Sequence, residues 1–238
     1  MNSRNISIRL REFRNLLTDI VFEGAELEGL GLTYAKTYEI LHFSNLSRKK
    51  YPQEQIEAVN GVLKAYEFVA KLISGQKELG ILEYKKINEL VDKYEETKQF
   101  WHPDDVAGKW RKTPKSIGGT KKYRPLILRG SEYATIVETC LRKKVNLENE
   151  IVNLAKLSKT QPFPDGNKRS SLIFCNALLL KNNLPLIRIK SHATYAKLLV
   201  DYYDDDKKIN KFANYVKTNS LKLQKIANVK YRSSSAKK

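Results

Sequence analysis

Thr160-Gln161-Pro162-Phe163-Pro164-Asp165-Gly166-Asn167-Lys168-Arg169-Ser170-Ser171 is a tight polar loop that runs straight into the apolar stretch Leu172 to Leu180. Gly166 permits a sharp backbone turn, and the pattern predicts a helix from about Asn167 to Lys181. The first N–H groups of such a helix lack carbonyl partners and lie at the positive end of its dipole, which makes an anion site. Lys168 and Arg169 add two cations there, and a guanidinium can grip phosphate through two parallel hydrogen bonds. Asp165 supplies a hard oxygen of the kind a magnesium-bound phosphate requires. Phe163 is the apolar pin that would hold the loop on the core. Together these residues point to a magnesium–nucleotide or polyphosphate site. The plainer reading is a capped helix start, with Asp165 or Asn167 as the cap and both cations solvated.

On either side of the loop the chain reads as helical. Ile56, Val59, Leu63, Tyr66, Val69, Ala70 and Ile73 recur at spacings of three and four within residues 53–74, which is one buried helical face. Residues 84–101 repeat the pattern with Ile87, Leu90, Val91 and Tyr94. A long helical pattern begins at Glu132 and carries Ile136, Val137, Cys140, Leu141, Leu147, Ile151, Leu154 and Ala155, with a break or kink at Asn146. Residues 191–227 hold two more amphipathic helices, separated near Asp204-Asp205-Asp206, whose carboxylates suit a helix N-terminus. Between Pro103 and Gly130, the segments Lys115 to Thr120 and Tyr123 to Arg129 predict a short hairpin around Gly118-Gly119. The expected architecture is one mainly helical, all-α domain over 1–229 with a single β-hairpin, followed by a disordered basic tail at 230–238.

Composition narrows the class. At 238 residues, with 41% hydrophobic and 29% charged side chains, the chain can bury a sizeable core in the manner of a soluble globular protein. No apolar run approaches a membrane span, and the N-terminus has no signal-peptide core, so a cytoplasmic protein without membrane contact is expected. Cys140 and Cys175 fall on apolar helical faces and read as buried free thiols of a reducing compartment. His42, His102 and His192 are scattered, which argues against structural zinc. The net charge of +18, from 44 Lys and Arg against 26 Asp and Glu, favours polyanions. Its clusters, Arg48-Lys49-Lys50, Lys109 to Lys122 and Lys230 to Lys238, form no nucleic-acid-binding motif, so any such contact would be unspecific.

Pro162-Phe163, Asp165-Gly166-Asn167 and Arg169 resemble, in order and spacing, the signature loop of the Fic/Doc (Fido) family, His-x-Phe-x-Asp/Glu-x-Asn-Gly/Lys-Arg. Two further segments agree. Ile117-Gly118-Gly119 with Tyr123 and Pro125 resembles the family's flap. Gly24-Ala25-Glu26-Leu27-Glu28-Gly29 with Leu32-Thr33 resembles its inhibitory helix motif, Ser/Thr-x-x-x-Glu-Gly/Asn. The resemblance implies an all-α Fic fold with a β-hairpin flap, a core signature over 105–187 and an inhibitory-helix-like segment over 10–33. It implies ATP and Mg²⁺ as cofactors, with the metal on Asp165 and the nucleotide on Gly166, Asn167, Lys168 and Arg169, beside Gly118 and Gly119. Ile117, Gly118 and Gly119 would align the acceptor. The implied reaction moves AMP from ATP to a Ser, Thr or Tyr hydroxyl of a target protein, or the γ-phosphate in the Doc branch. A homodimer, and a bacterial cytoplasmic or toxin-like protein exported as an effector, fit the same resemblance.

Three departures stand against it. Gln161 occupies the place of the catalytic histidine, and a carboxamide is not basic near neutral pH. Loss of a general base costs about 10²–10⁴-fold, although glutamine can still orient a hydroxyl or a water. Lys168 replaces a glycine, as in Doc, and Leu172 stands where regulated members carry a second arginine. Glu28 therefore lacks its usual partner, and either pairs with Arg169 instead or is a plain surface carboxylate. The residues leave three functions open: a Fic-type enzyme, a pseudoenzyme that binds nucleotide or a partner protein, and a basic nucleic-acid-associated platform. Binding is expected to survive better than chemistry.

Overall fold

The computed structural model describes residues 10–43, 50–92 and 103–235, with side chains through Leu223 and at Lys225. After a helical segment at 10–15, the helices run α1 (Leu17–Ala25), a 3₁₀ turn (Glu26–Glu28), α2 (Tyr34–His42), α3 (Gln53–Ser74) and α4 (Ile81–Asp92). They continue as α5 (Gly130–Leu141), α6 (Leu147–Thr160), α7 (Asn167–Lys181), α8 (His192–Asp204), a 3₁₀ turn (Asp206–Lys208) and α9 (Ile209–Ser235). The second half of the helix expected over 84–101, together with Arg48, Lys49, His102 and residues 236–238, lies outside the described residues.

The axis of the molecule is α7. Every side chain from Leu172 to Leu180 is buried, and a helix without a polar face has to lie inside. It is enclosed by α1, α3, α4 and α6. Asn176, the polar residue that interrupts this apolar run, is satisfied in place. Its Oδ1 accepts the Ile187 N–H at 2.7 Å, and its Nδ2 donates to the Ile187 carbonyl at 3.2 Å. The seam between α3 and α4 closes over Gly61, where a Cβ would stand 2.9 Å from the Val91 carbonyl.

Capping explains several boundaries. Asn146 accepts the Asn149 N–H at 2.8 Å and starts α6, so of the expected break or kink it is the break. Ser191 caps α8 through Thr194 N–H. α9 extends through Ser235, into the stretch expected to be disordered. Lys230 and Arg232 in that stretch are compatible with helix.

No strand forms among the described residues, and the expected hairpin is a correction. Residues 113–129 are irregular, with a turn at Gly118-Gly119. The reason lies in where the backbone groups go. Lys121, Lys122 and Tyr123 donate their N–H groups to the Asp204 carboxylate at 2.8–2.9 Å, and Arg111 takes the carbonyls of Thr113, Pro125 and Leu126. Side chains hold the segment, so no ladder is needed. No helix among the described residues is long and apolar enough to cross a membrane.

Both cysteines are free and buried. Cys175 lies beside Glu150 of α6, which is 1% exposed and accepts from Asn153 at 3.3 Å. Burial pushes the Glu150 carboxyl up to about 7, above the value of about 4.3 for an unfolded chain. Ionisation between those values is easier in the unfolded chain, so stability falls as pH rises through that window. Glu150→Gln should flatten the urea-midpoint slope between pH 5 and 8 and relieve a penalty on the order of 3 kcal/mol at pH 8. An unchanged slope would remove Glu150 as its source.

Candidate functional site

Phe163 seats the signature loop. It is fully buried, stacks on Trp110 at 5.1 Å and 25°, and meets Tyr84 edge-on at 4.9 Å. Truncating such a side chain to alanine costs about 3–5 kcal/mol. Asn167 then closes the loop on itself: its Oδ1 accepts the Phe163 N–H at 2.9 Å and its Nδ2 donates to the Phe163 carbonyl at 2.8 Å. At 4% exposed, Asn167 is a buried strut of the turn. Gly166 is needed at φ +66°, and a Cβ there would stand 3.1 Å from Asn88 Nδ2 and 3.3 Å from Asp92 Cγ.

Gln161 ends α6 in the left-handed region at φ 51°, a conformation that costs a side-chain-bearing residue roughly 1–2 kcal/mol. Both ends of its amide are engaged. Nε2 donates to the Ser158 carbonyl at 2.6 Å, and Oε1 accepts from Asn167 at 3.1 Å. Its own carbonyl accepts from Arg111 Nε at 2.6 Å, and the Pro162 carbonyl accepts the Arg111 N–H at 2.9 Å.

Both cations are engaged by protein oxygens. Arg169 is 1% exposed, and its Nε contacts Glu28 Oε1 at 2.7 Å. Its Nη1 donates to the Val91 carbonyl at 3.1 Å and its Nη2 to Asp92 Oδ1 at 3.4 Å. Lys168 Nζ donates to the Leu27 carbonyl at 2.7 Å. The 3₁₀ turn Glu26–Glu28 thus sits against the first turn of α7 and takes both positive charges. A buried bridge holds α1, which carries this turn: Arg188 donates to Glu23 at 2.9 Å, and the Ile189 N–H joins the same carboxylate. Of the two readings open for Glu28, a partner of Arg169 or a plain surface carboxylate, the structure has the contact with Arg169.

Asp165 is half-buried at the rim, with Oδ1 accepting the Gly166 N–H at 2.8 Å. Among the described residues no group of three or more His, Cys, Asp and Glu side chains could hold a metal, so a cation on Asp165 would need phosphate and water for its remaining ligands. The first intrahelical hydrogen bond of α7 runs from Ser170 N–H to the Gly166 carbonyl at 2.8 Å, so the N–H groups of 167–169 precede the ladder at the positive end of the helix dipole.

Ile117, Gly118 and Gly119 are joined to this centre only indirectly. Ile117 is half-buried, the glycines are exposed, and Gly119 (φ +84°) faces Val200 of α8. Tyr123 links the turn to the end of α6, its hydroxyl donating to the Lys159 carbonyl at 2.7 Å. Arg111 provides the second link, through Thr113 and Gln161. Three contributors escaped sequence reasoning. Asn88 donates to the Asp165 carbonyl at 2.8 Å, Asp92 pairs with Arg169, and Arg111 splints the loop. The signal for the first two was polar residues at i and i+4 beside the apolar stripe Tyr84, Ile87 and Val91.

Backbone N–H bonds hold the Asp204 carboxyl down at about 2. Asp204→Ala should speed tryptic cleavage after Lys121 and Lys122 at least tenfold at pH 8, as followed by fragment mass. Cleavage at the parental rate would show that the turn is held by other contacts.

No protein-family model and no curated protein matches the sequence. Solved structures do. A Fic domain-containing signaling protein from Bacteroides thetaiotaomicron superposes with a TM-score of 0.71 at 15% identity, covering 95% of each chain. Fic-1 from C. elegans gives 0.72 at 20% identity over 98% of this chain and 72% of its own. A Fic family protein from Desulfovibrio desulfuricans gives 0.59 at 13% identity, over 94% and 74%. The chain has the fold of Fic-domain proteins.

Proposed function

We propose that this chain is a Fic-type Mg-ATP-binding protein whose phosphate site is closed by its own Glu28 segment, and in which transfer of AMP to a protein hydroxyl is suppressed. The observation that carries the reading is the Glu28–Arg169 contact at 2.7 Å together with Lys168 on the Leu27 carbonyl. Two protein oxygens stand on the cations at the mouth of a helix N-terminus, where a nucleotide's phosphates would place theirs. On this reading the loop N–H groups and Asn167 would hold the α-phosphate, Asp165 with phosphate and water would hold Mg²⁺, and Arg169 would meet the β- and γ-phosphates after Glu28 leaves. The metal would draw charge off the phosphates and help to hold them in line.

Suppression has two sources. Gln161 has no basic atom to take the acceptor's proton, and both ends of its amide are already hydrogen-bonded. Arg169 is paired with two carboxylates, of which Asp92 is fully buried. A pseudoenzyme that binds nucleotide without transfer is favoured over the γ-phosphate-transfer alternative by this locked amide, because neither transfer has a base.

Glu28→Ala should tighten ATP binding about tenfold or more, read by calorimetry with Mg²⁺ present. Unaltered affinity would mean that Glu28 does not compete with phosphate. Incubation with α- and γ-labelled ATP separates the chemistries. Gln161→His combined with Glu28→Ala should raise α-label transfer to lysate proteins by about 10²-fold or more. Transfer no higher than with Glu28→Ala alone would show that the missing base is not what limits the site.

A further inference from the structure

Outside the loop, one concave surface that the function leaves unexplained is lined by Trp110. It is a groove of about 490 Å³ whose floor is Trp110 and Ile127 and whose rim carries Lys85, Lys109, Lys112 and Arg129. With Arg111 beneath, five of its lining residues are basic and none is acidic. The volume falls within the range of about 300–1,000 Å³ typical of ligand sites. Beside it, Leu126 is 75% exposed and Ile127 49% exposed, so apolar side chains face solvent within a strongly cationic border.

The floor is held in place. One interaction of the Trp110 ring is the stack on Phe163, and another is Lys85 Nζ at 4.4 Å. Gly130 lets the indole approach, since a Cβ there would stand 3.2 Å from Trp110 Cδ1. The wall is short of backbone groups to offer. Pro125 and Leu126 carbonyls are taken by Arg111, and the Leu128 N–H meets the Tyr133 hydroxyl at 3.3 Å. Recognition in the groove therefore comes from side chains, not from adding a strand.

We infer that this groove binds a short acidic segment of a partner protein that carries an apolar anchor. Charge complementarity selects the acidic flanks, and the exposed Leu126 and Ile127 select an aliphatic anchor. A nucleic acid is the poorer fit. Single-stranded bases need an open aromatic face, and the Trp110 ring is already engaged by Phe163 and Lys85. The inference does not rest on nucleotide binding, because the groove and its charges are complete without it.

The test uses the full chain without ATP and a fluorescein-labelled peptide, Glu-Asp-Leu-Ile-Glu-Asp, read by anisotropy at low and moderate salt. Saturable binding is expected, weakened at least tenfold by Ile127→Ser and by Lys109→Ser with Lys112→Ser. All three positions are exposed, and circular dichroism melts would verify that the variants fold. No saturable binding would overturn the inference. So would equal binding of an all-glutamate peptide or an oligothymidylate with Ile127→Ser without effect, which is attraction to any polyanion.

Discussion

One guanidinium organises this molecule. Arg169 is 1% exposed at the start of the central helix, and its partners are Glu28 from the N-terminal 3₁₀ turn and Asp92 with the Val91 carbonyl from the end of α4. Removing one member of a buried charge cluster leaves the others unsatisfied, so three segments distant in sequence are bound to one position. The fold packs around α7, and the electrostatics of its first turn decide what can approach it. Glu28 and Asp92 stand on that arginine from two sides, so the charge at the mouth of the helix is already matched by protein carboxylates.

The loop around that arginine is built as a rigid turn. Asn167 returns two hydrogen bonds to the Phe163 backbone, Gly166 turns where a side chain would strike Asn88 and Asp92, and Phe163 is clamped between Trp110 and Tyr84. Gln161 belongs to the same construction, with its amide bridging Ser158 and Asn167. A side chain fitted this way stabilises the end of α6, and chemistry there would first require those bonds to break. The Arg111 splint extends the same rigidity outward, joining Gln161 to Thr113, Pro125 and Leu126.

Much of the fold was legible because apolar spacing reports helices directly. The period within 53–74 and the apolar run within 167–181 coincide with α3 and α7, and Asn146 marked a boundary. The hairpin was misread because Gly118-Gly119 between apolar residues satisfies the local rules for a turn, while the Asp204 carboxylate, some eighty residues away, claims the N–H groups a ladder would use. In the site, the residue types at the loop were visible, and Glu28 stood as either a partner of Arg169 or a surface carboxylate. Their engagement was not, since whether a cation is solvated or enclosed depends on what packs above it.

The sequence by itself determined a helical chain, a glycine-turned loop opening a helix with a long apolar run, and a cluster of polar and charged side chains at that opening. These are local properties, readable from residue type and spacing. Only the tertiary structure decided that Arg169 is enclosed by Glu28 and Asp92, that Lys168 reaches Leu27, and that Arg111 ties the loop to its neighbours. Each of these joins residues distant in sequence, and burial sets the strength of such contacts, which no single stretch of chain records.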